Sequence, residues 1–360
     1  MGAFAYWMLN GWHGIGLTFL LAFLLTFVLA KVGIPLLQKL KFGQVVRNDG
    51  PEKHLSKQGT PTMGGVIFVL GTMLAFWGVF GLIVSLGNND YAKAWPAALF
   101  ATLSMLGFGA IGMADDLLKI IYKNPKGLSP RWKILSQLVL SLALCIWADT
   151  IQGVGSTLIV PWLGYEWNLG WGYVPFMVVV LIAIINCVNL TDGLDGQSAS
   201  ITLIDVIAYI LIFGMLINKL YNNPSLNIGA NTAAVRHLLV LRYFLAAFAG
   251  SLLAYLVFNV YPARVFMGDT GSFAMGGALA ATAVLSRTAL IVPILGVCFV
   301  ASGVSVILQV GSFKLRKGKR IFLMAPVHHH FELKGYPETK VVEGYRIVTT
   351  LACALALTAF

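Results

Sequence analysis

Long apolar runs separated by short polar stretches set the pattern of this chain. Runs of about twenty residues, the length a helix needs to cross a hydrocarbon layer of about 30 Å, fall near 17–37, 63–86, 95–114, 133–149, 172–188, 197–217, 239–259, 271–286, 289–311 and 342–360. None shows the alternating ten-residue segments of a membrane barrel. The pattern predicts an all-α polytopic membrane protein with about ten transmembrane helices, in a single domain over 1–360. The first run has no basic residue before it and is too long for a signal segment, so it reads as an uncleaved span. Ile151 to Trp171, rich in Gly, Trp and β-branched residues, reads as a hairpin or interfacial flap.

Composition supports that reading. The chain is 58% hydrophobic and 11% charged, against roughly 25% charged residues in soluble domains. With ten crossings, both termini share one side and the loops after odd-numbered spans share the other. Those odd loops hold 18 of the 25 Lys and Arg residues, so the positive-inside rule makes them cytoplasmic and both termini external. The net charge of +11 lies in short membrane loops, which suits anionic lipid or an anionic substrate and argues against nucleic acid. The four cysteines lie in apolar runs without metal-ligand spacing and read as small core residues.

The candidate chemistry sits at the mouths of the spans. Asn189-Leu190-Thr191-Asp192-Gly193-Leu194-Asp195-Gly196 follows an apolar run, where ionised groups are costly and usually functional. Asn189, Asp192 and Asp195 recur every third residue and fall roughly on one side of a helical turn. Gly193 and Gly196 leave room for a ligand near the backbone. Asp115 and Asp116 end the third run and can converge on a metal or phosphate. Gly268, Gly271 and Ser272 surround Asp269, which suits a metal ligand beside a phosphate-accepting helix N-terminus. Phe266 is placed to stack on a base or to anchor at the membrane interface. Lys57-Gln58-Gly59-Thr60-Pro61-Thr62-Met63-Gly64-Gly65 looks like an anion cradle without Walker spacing. His328, His329 and His330 cannot all bind one metal, so phosphate contact or proton transfer suits them better. Asp205, in the middle of the sixth run, could pair with a polar neighbour.

These loops combine carboxylates, lysines, amides and imidazoles on one face beside lipid. That combination suits phosphoryl transfer between a soluble nucleotide conjugate and a lipid phosphate. A proton-coupled transporter is the alternative, but its carboxylates should cluster near the midplane.

The chain resembles the phospho-N-acetylmuramoyl-pentapeptide transferases (MraY) of bacterial peptidoglycan synthesis. The resemblance runs from Phe42-Gly43-Gln44 through Pro61-Thr62-Met63-Gly64-Gly65, the Asp pair, Asn189 to Gly196, Phe266 to Asp269 and the histidine triplet. The Asp pair and the Asp-rich loop belong to the wider polyprenyl-phosphate sugar-phosphate transferases. The first-loop motif and Ala325-Pro326-Val327-His328-His329-His330 are specific to the narrower family. The resemblance implies attack by undecaprenyl phosphate on UDP-MurNAc-pentapeptide, giving lipid I and UMP, with Mg²⁺, at the cytoplasmic face of the bacterial inner membrane. A UDP-GlcNAc-type transferase of the same superfamily is the neighbouring reading.

By position, the resemblance makes Asp269 the metal ligand and Asp115 and Asp116 the catalytic pair. Lys133, His328, His329 and His330 match further active-site groups. Phe266 matches a uracil-stacking residue, and Lys57, Thr62, Asn189, Asp192, Asp195 and Asn259 line the nucleotide pocket and cleft. It also implies a homodimer. Two departures stand out: Ser302 stands where many relatives carry an acidic residue, and Cys187 replaces a more usual alanine.

Overall fold

The computed structural model describes residues 11–40, 59–86, 92–122, 127–151, 153–221 and 228–360. Lys57, and most of the first polar loop with it, lies outside the described residues.

Among the described residues, ten long helices occupy the ten apolar runs. They are α1 (Trp12–Lys39), α2 (Gly65–Ser85), α3 (Trp95–Ile121), α4 (Pro130–Thr150), α5 (Tyr173–Thr191), α6 (Gln197–Tyr221), α7 (Ile228–Asn259), α8 (Gly268–Leu285), α9 (Val297–Leu315) and, after the short α10 (Val327–Leu333), α11 (Glu338–Leu357). Prolines at the first positions of α3 and α4 fix φ where an amide donor has no helical partner anyway. Among the described residues, eight helices, α1 to α7 and α9, are long and apolar enough to cross a membrane. The two others are too polar for that test, and for different reasons. Helix α8 has no residue from Thr270 to Leu285 outside the protein interior, so small and polar residues are tolerated where lipid never reaches. Helix α11 begins with Glu338, Lys340, Glu343 and Arg346 and turns apolar only afterwards.

Three boundaries differ most from the hydropathy reading, the first being α7, which starts at Ile228 and not near 239. Helix α3 continues past residue 114 to Ile121, and so carries the Asp pair inside its last turns. The run 289–311 is broken: a 3₁₀ turn (Ala289–Ile291) and one helical turn (Val292–Leu295) precede Gly296, after which α9 starts afresh. The 151–171 stretch forms a hairpin of β1 (Thr157–Ile159) and β2 (Glu166–Asn168), antiparallel with Leu158 opposite Trp167. Arg287 holds it through hydrogen bonds to Thr157 (3.0 Å) and Glu166 (2.7 Å). The four cysteines are free, as expected, although Cys187 is only half-buried.

Helix α8 is the post around which α2, α3 and α5 pack. Glycine permits that closeness: a Cβ on Gly65 would collide with the backbone of Gly271, and one on Gly112 with the backbone of Asp269. Side-chain hydrogen bonds tie the helices where apolar burial gives no preference among partners. Ser104 donates to Gly277 O at 2.7 Å and Asn186 to Gln137 Oε1 at 2.6 Å. The outer face of α1 instead exposes Leu20, Leu24, Val28 and Val32, as a lipid-facing stripe should.

Candidate active site

The helix ends that carry the chemistry converge on one end of the bundle: the C-terminal ends of α3, α5, α7 and α9 and the N-terminal ends of α2, α4, α6, α8 and α11. At their centre Asp115, Asp116 and Asp269 bring one carboxylate oxygen each within 4.8 Å of one another, a set able to hold a metal ion. Two lysines bridge them. Lys133 Nζ lies 2.8 Å from Asp269 Oδ2 and 3.2 Å from Asp115 Oδ1. Lys119 Nζ lies 2.5 Å from Asp115 Oδ2, 2.9 Å from Asp269 Oδ2 and 3.8 Å from Asp116 Oδ1. Asn189 completes the ring by donating to Asp269 Oδ1 and to Ser272 Oγ, both at 2.9 Å.

The two adjacent aspartates do different work. Side chains one residue apart on a helix point about 100° apart. Asp116 faces α8 and accepts from Asp269 N (3.1 Å), Thr270 N (2.8 Å) and Thr270 Oγ1 (2.7 Å). It caps that helix from another helix, satisfying amides that have no partner of their own. Asp115 turns toward the lysines and accepts Leu128 N at 2.8 Å. The cap corrects one expectation, because the α8 N-terminal amides are taken by Asp116 and are not free for a phosphate.

The first loop is corrected in a similar way. Phe266 N donates to Pro61 O (2.8 Å), Gly64 N to Phe266 O (2.8 Å) and Gly65 N to Met267 O (3.1 Å). The amides expected to cradle an anion instead pair the 61–65 segment with the 266–267 segment. That pairing fixes the backbone of Phe266, whose side chain stays half-buried. Thr62 is beside the cluster, since a Cβ on Gly268 would meet its hydroxyl at 3.0 Å. Asn259 is buried and donates to Val265 O at 2.9 Å, so it braces the loop that ends in Phe266.

The Asp-rich stretch does not present one polar side. Asn189 reaches the carboxylate cluster, whereas Asp195 accepts Ala263 N at 2.9 Å on a different loop. The space left by Gly193 is filled by the His328 ring, and that left by Gly196 by Val260, so neither glycine holds room for a ligand. Asp192 lies between, half-buried. Burial, together with the Asp269, Asp116 and Asp195 carboxylates, pushes its carboxyl up to about 8.

The three imidazoles meet different neighbours. His328 is fully buried, packed edge-on against His329 with centroids 4.2 Å apart and facing Tyr345. His329 Nδ1 lies 2.7 Å from Glu332 Oε2. His330 Nδ1 accepts Leu323 N at 3.1 Å, and desolvation followed by nearby Lys334 holds its pKa below the usual histidine value. Gln309 fixes the strand of chain before them: its Oε1 accepts Ile321 N and Phe322 N and its Nε2 donates to Phe322 O, all at 3.0 Å. Asp205 finds the polar neighbour expected of it, accepting the Cys353 thiol at 3.3 Å beside an apolar cavity of about 300 Å³ between α5, α6 and α9.

Sequence reading missed Lys119 and Glu338. Lys119 stands four residues after Asp115 and three after Asp116, the spacing at which helical side chains meet. Ending the third run at residue 114 turned it into a loop charge. Glu338 accepts Asp195 N at 2.6 Å, a contact between segments 143 residues apart that no local pattern announces.

Two family patterns cover the carboxylate cluster, its lysines and the Asp-rich and Phe266 loops, though not the histidine triplet or Glu338. Residues 98–287 match the glycosyl transferase family 4 model, and residues 57–69 match the phospho-N-acetylmuramoyl-pentapeptide-transferase signature 1. Curated phospho-N-acetylmuramoyl-pentapeptide-transferases align along nearly the whole length. That of Clostridium novyi is 43% identical over 93% of this chain and 94% of its own. That of Caldanaerobacter subterraneus is 44% identical over 92% and 94%, and that of Clostridioides difficile 40% identical over 98% and 99%. With a family model over more than half of the chain and this identity end to end, the chain belongs to the phospho-N-acetylmuramoyl-pentapeptide-transferases of glycosyl transferase family 4.

Proposed function

We propose that the chain transfers phospho-MurNAc-pentapeptide from UDP-MurNAc-pentapeptide to undecaprenyl phosphate, giving lipid I and UMP for peptidoglycan synthesis. The observation that carries this reading is the cluster itself: three carboxylates and two ammonium groups at the ends of membrane helices. An anionic lipid head group and a soluble pyrophosphate can meet there. Oxygen donors within 4.8 Å of one another fit a small hard cation such as Mg²⁺. Asp269 would hold it, with the Asp115 and Asp116 carboxylates beside it, and the ion supplies charge neutralisation at the transferring phosphoryl.

The chain's own groups divide the remaining work. Asp115 takes the proton of the lipid phosphate, whose oxygen then attacks the sugar-bearing phosphorus. A P–O bond forms there as the P–O bond to UMP breaks, without a covalent enzyme intermediate. Lys119 and Lys133 hold the pyrophosphate oxygens against the carboxylates, where positioning and charge carry most of the rate. Phe266 stacks on uracil, with Lys57, Thr62, Asn189, Asp192 and Asp195 lining the cleft. His329 and His330 reach the phosphates, and buried His328 holds the Asp192 loop in place. The site faces the cytoplasm of a bacterial plasma membrane, both termini are external, and the working unit is a homodimer.

The test is UMP release by purified protein in detergent micelles, with undecaprenyl phosphate, Mg²⁺ and different UDP-sugars. Turnover of UDP-MurNAc-pentapeptide without a sealed membrane is expected. Turnover of UDP-GlcNAc alone would move the chain to the sister branch. No turnover in micelles, with solute accumulation in vesicles, would replace the enzyme by a transporter.

A further inference from the structure

The last two helices touch the Asp-rich loop at two points. Buried His328 of α10 lies against Gly193, and Glu338, the first residue of α11, accepts Asp195 N at 2.6 Å. Asp195 then passes the contact on, since its own carboxylate accepts Ala263 N at 2.9 Å. Ala263 belongs to the loop that closes against Val265 through Asn259 (2.9 Å) and ends in Phe266. One carboxylate at the start of α11 therefore fixes the backbone of one loop directly and of a second through a single intermediary.

We infer that Glu338 is a positioning residue for nucleotide binding: it clips the Asp192–Gly196 loop to α11 and through it sets the loop that presents Phe266. The inference rests on the nucleotide role given above to those two loops. A plainer account is available, because an acidic residue in the first turn of a helix stabilises it through the helix dipole. The two accounts part at the hydrogen bond. A glutamine keeps an acceptor oxygen for Asp195 N and loses the charge; a methionine of similar length loses both.

The experiment compares Glu338→Gln and Glu338→Met, with Glu338→Ala as a second, smaller apolar replacement. Amide hydrogen exchange over residues 192–196 is measured without nucleotide, and KM and kcat for the UDP-linked donor are measured separately. Losing a hydrogen bond to a charged acceptor predicts about ten-fold faster exchange and about ten-fold higher KM for Glu338→Met, with kcat little changed. Glu338→Gln should stay near wild type on both counts and show only a lower melting temperature. Unchanged exchange in Glu338→Met and Glu338→Ala overturns the clip. Equal behaviour of the glutamine and methionine variants reduces Glu338 to a helix-end charge. Faster exchange with unchanged KM overturns the positioning role. A wild-type protein that releases no UMP defeats the proposed transfer instead, and the exchange measurement then decides the clip alone.

Discussion

Asp269→Asn isolates the charge at the centre of the site. Asp269 Oδ2 receives Lys119 at 2.9 Å and Lys133 at 2.8 Å, and Oδ1 receives Asn189 at 2.9 Å. The substitution keeps the size and one acceptor oxygen. What changes is the local charge: three carboxylates and two ammonium groups sum to −3 + 2 = −1, and the variant brings this to −2 + 2 = 0. At a separation of about 4 Å and an effective dielectric constant of about 20, one unit charge is worth about 4 kcal/mol to a cation. Each 1.36 kcal/mol is ten-fold in rate, so a loss of about 10³ in kcat follows. The assay is initial UMP release against Mg²⁺ concentration, with thermal unfolding to confirm that the variant is folded. The half-saturating Mg²⁺ concentration should rise as kcat falls. A folded variant that keeps kcat within about ten-fold at the same half-saturating Mg²⁺ would refute the assignment, because the electrostatic loss could not then have reached the transition state.

Three further outcomes follow from particular residues. Phe266→Ala should raise the nucleotide KM by an amount equal to about 1–3 kcal/mol, the range for a base on an aromatic platform; an unchanged KM with lower thermal stability would mark an interface anchor. Asp192, with its carboxyl up near 8, binds a proton in the folded protein that an unfolded carboxyl releases near 4. Stability should therefore decline as pH rises from about 4 to about 8, and Asp192→Asn should flatten that decline in melting temperature. Reporters in loops 38–60 and 313–341 should be cytoplasmic and one at the C-terminus external, and a cytoplasmic C-terminus would mean an odd number of crossings.

The helices were legible because lipid imposes a length and a composition on every segment it touches. Helix α8 was legible only as an apolar run, and its burial on every side was not, since small residues look alike in lipid and in a protein core. Asp115, Asp116 and Asp269 stood out because charge at the end of an apolar run is costly, and Lys133 only through the family resemblance. Their division of labour did not, because it depends on how α3 is rotated against α8. Backbone pairing was least legible. The amides of Gly64 and Gly65 looked free in the sequence and are spent on Phe266 and Met267, about two hundred positions away.

Asp116 shows how closely the stability of the fold and the geometry of the site are joined. Its three hydrogen bonds hold the first turn of α8, and a side-chain cap of this kind is worth about 0.5–2 kcal/mol. One of those bonds comes from the backbone amide of Asp269 itself. The cap thus fixes the residue whose carboxylate meets Lys119 and Lys133. Gly112, one turn earlier on α3, gives the Asp269 backbone the room it needs. The carboxylates are therefore placed by the α3–α8 contact and not by a loop. Helix-borne groups keep their geometry more tightly than loop-borne ones.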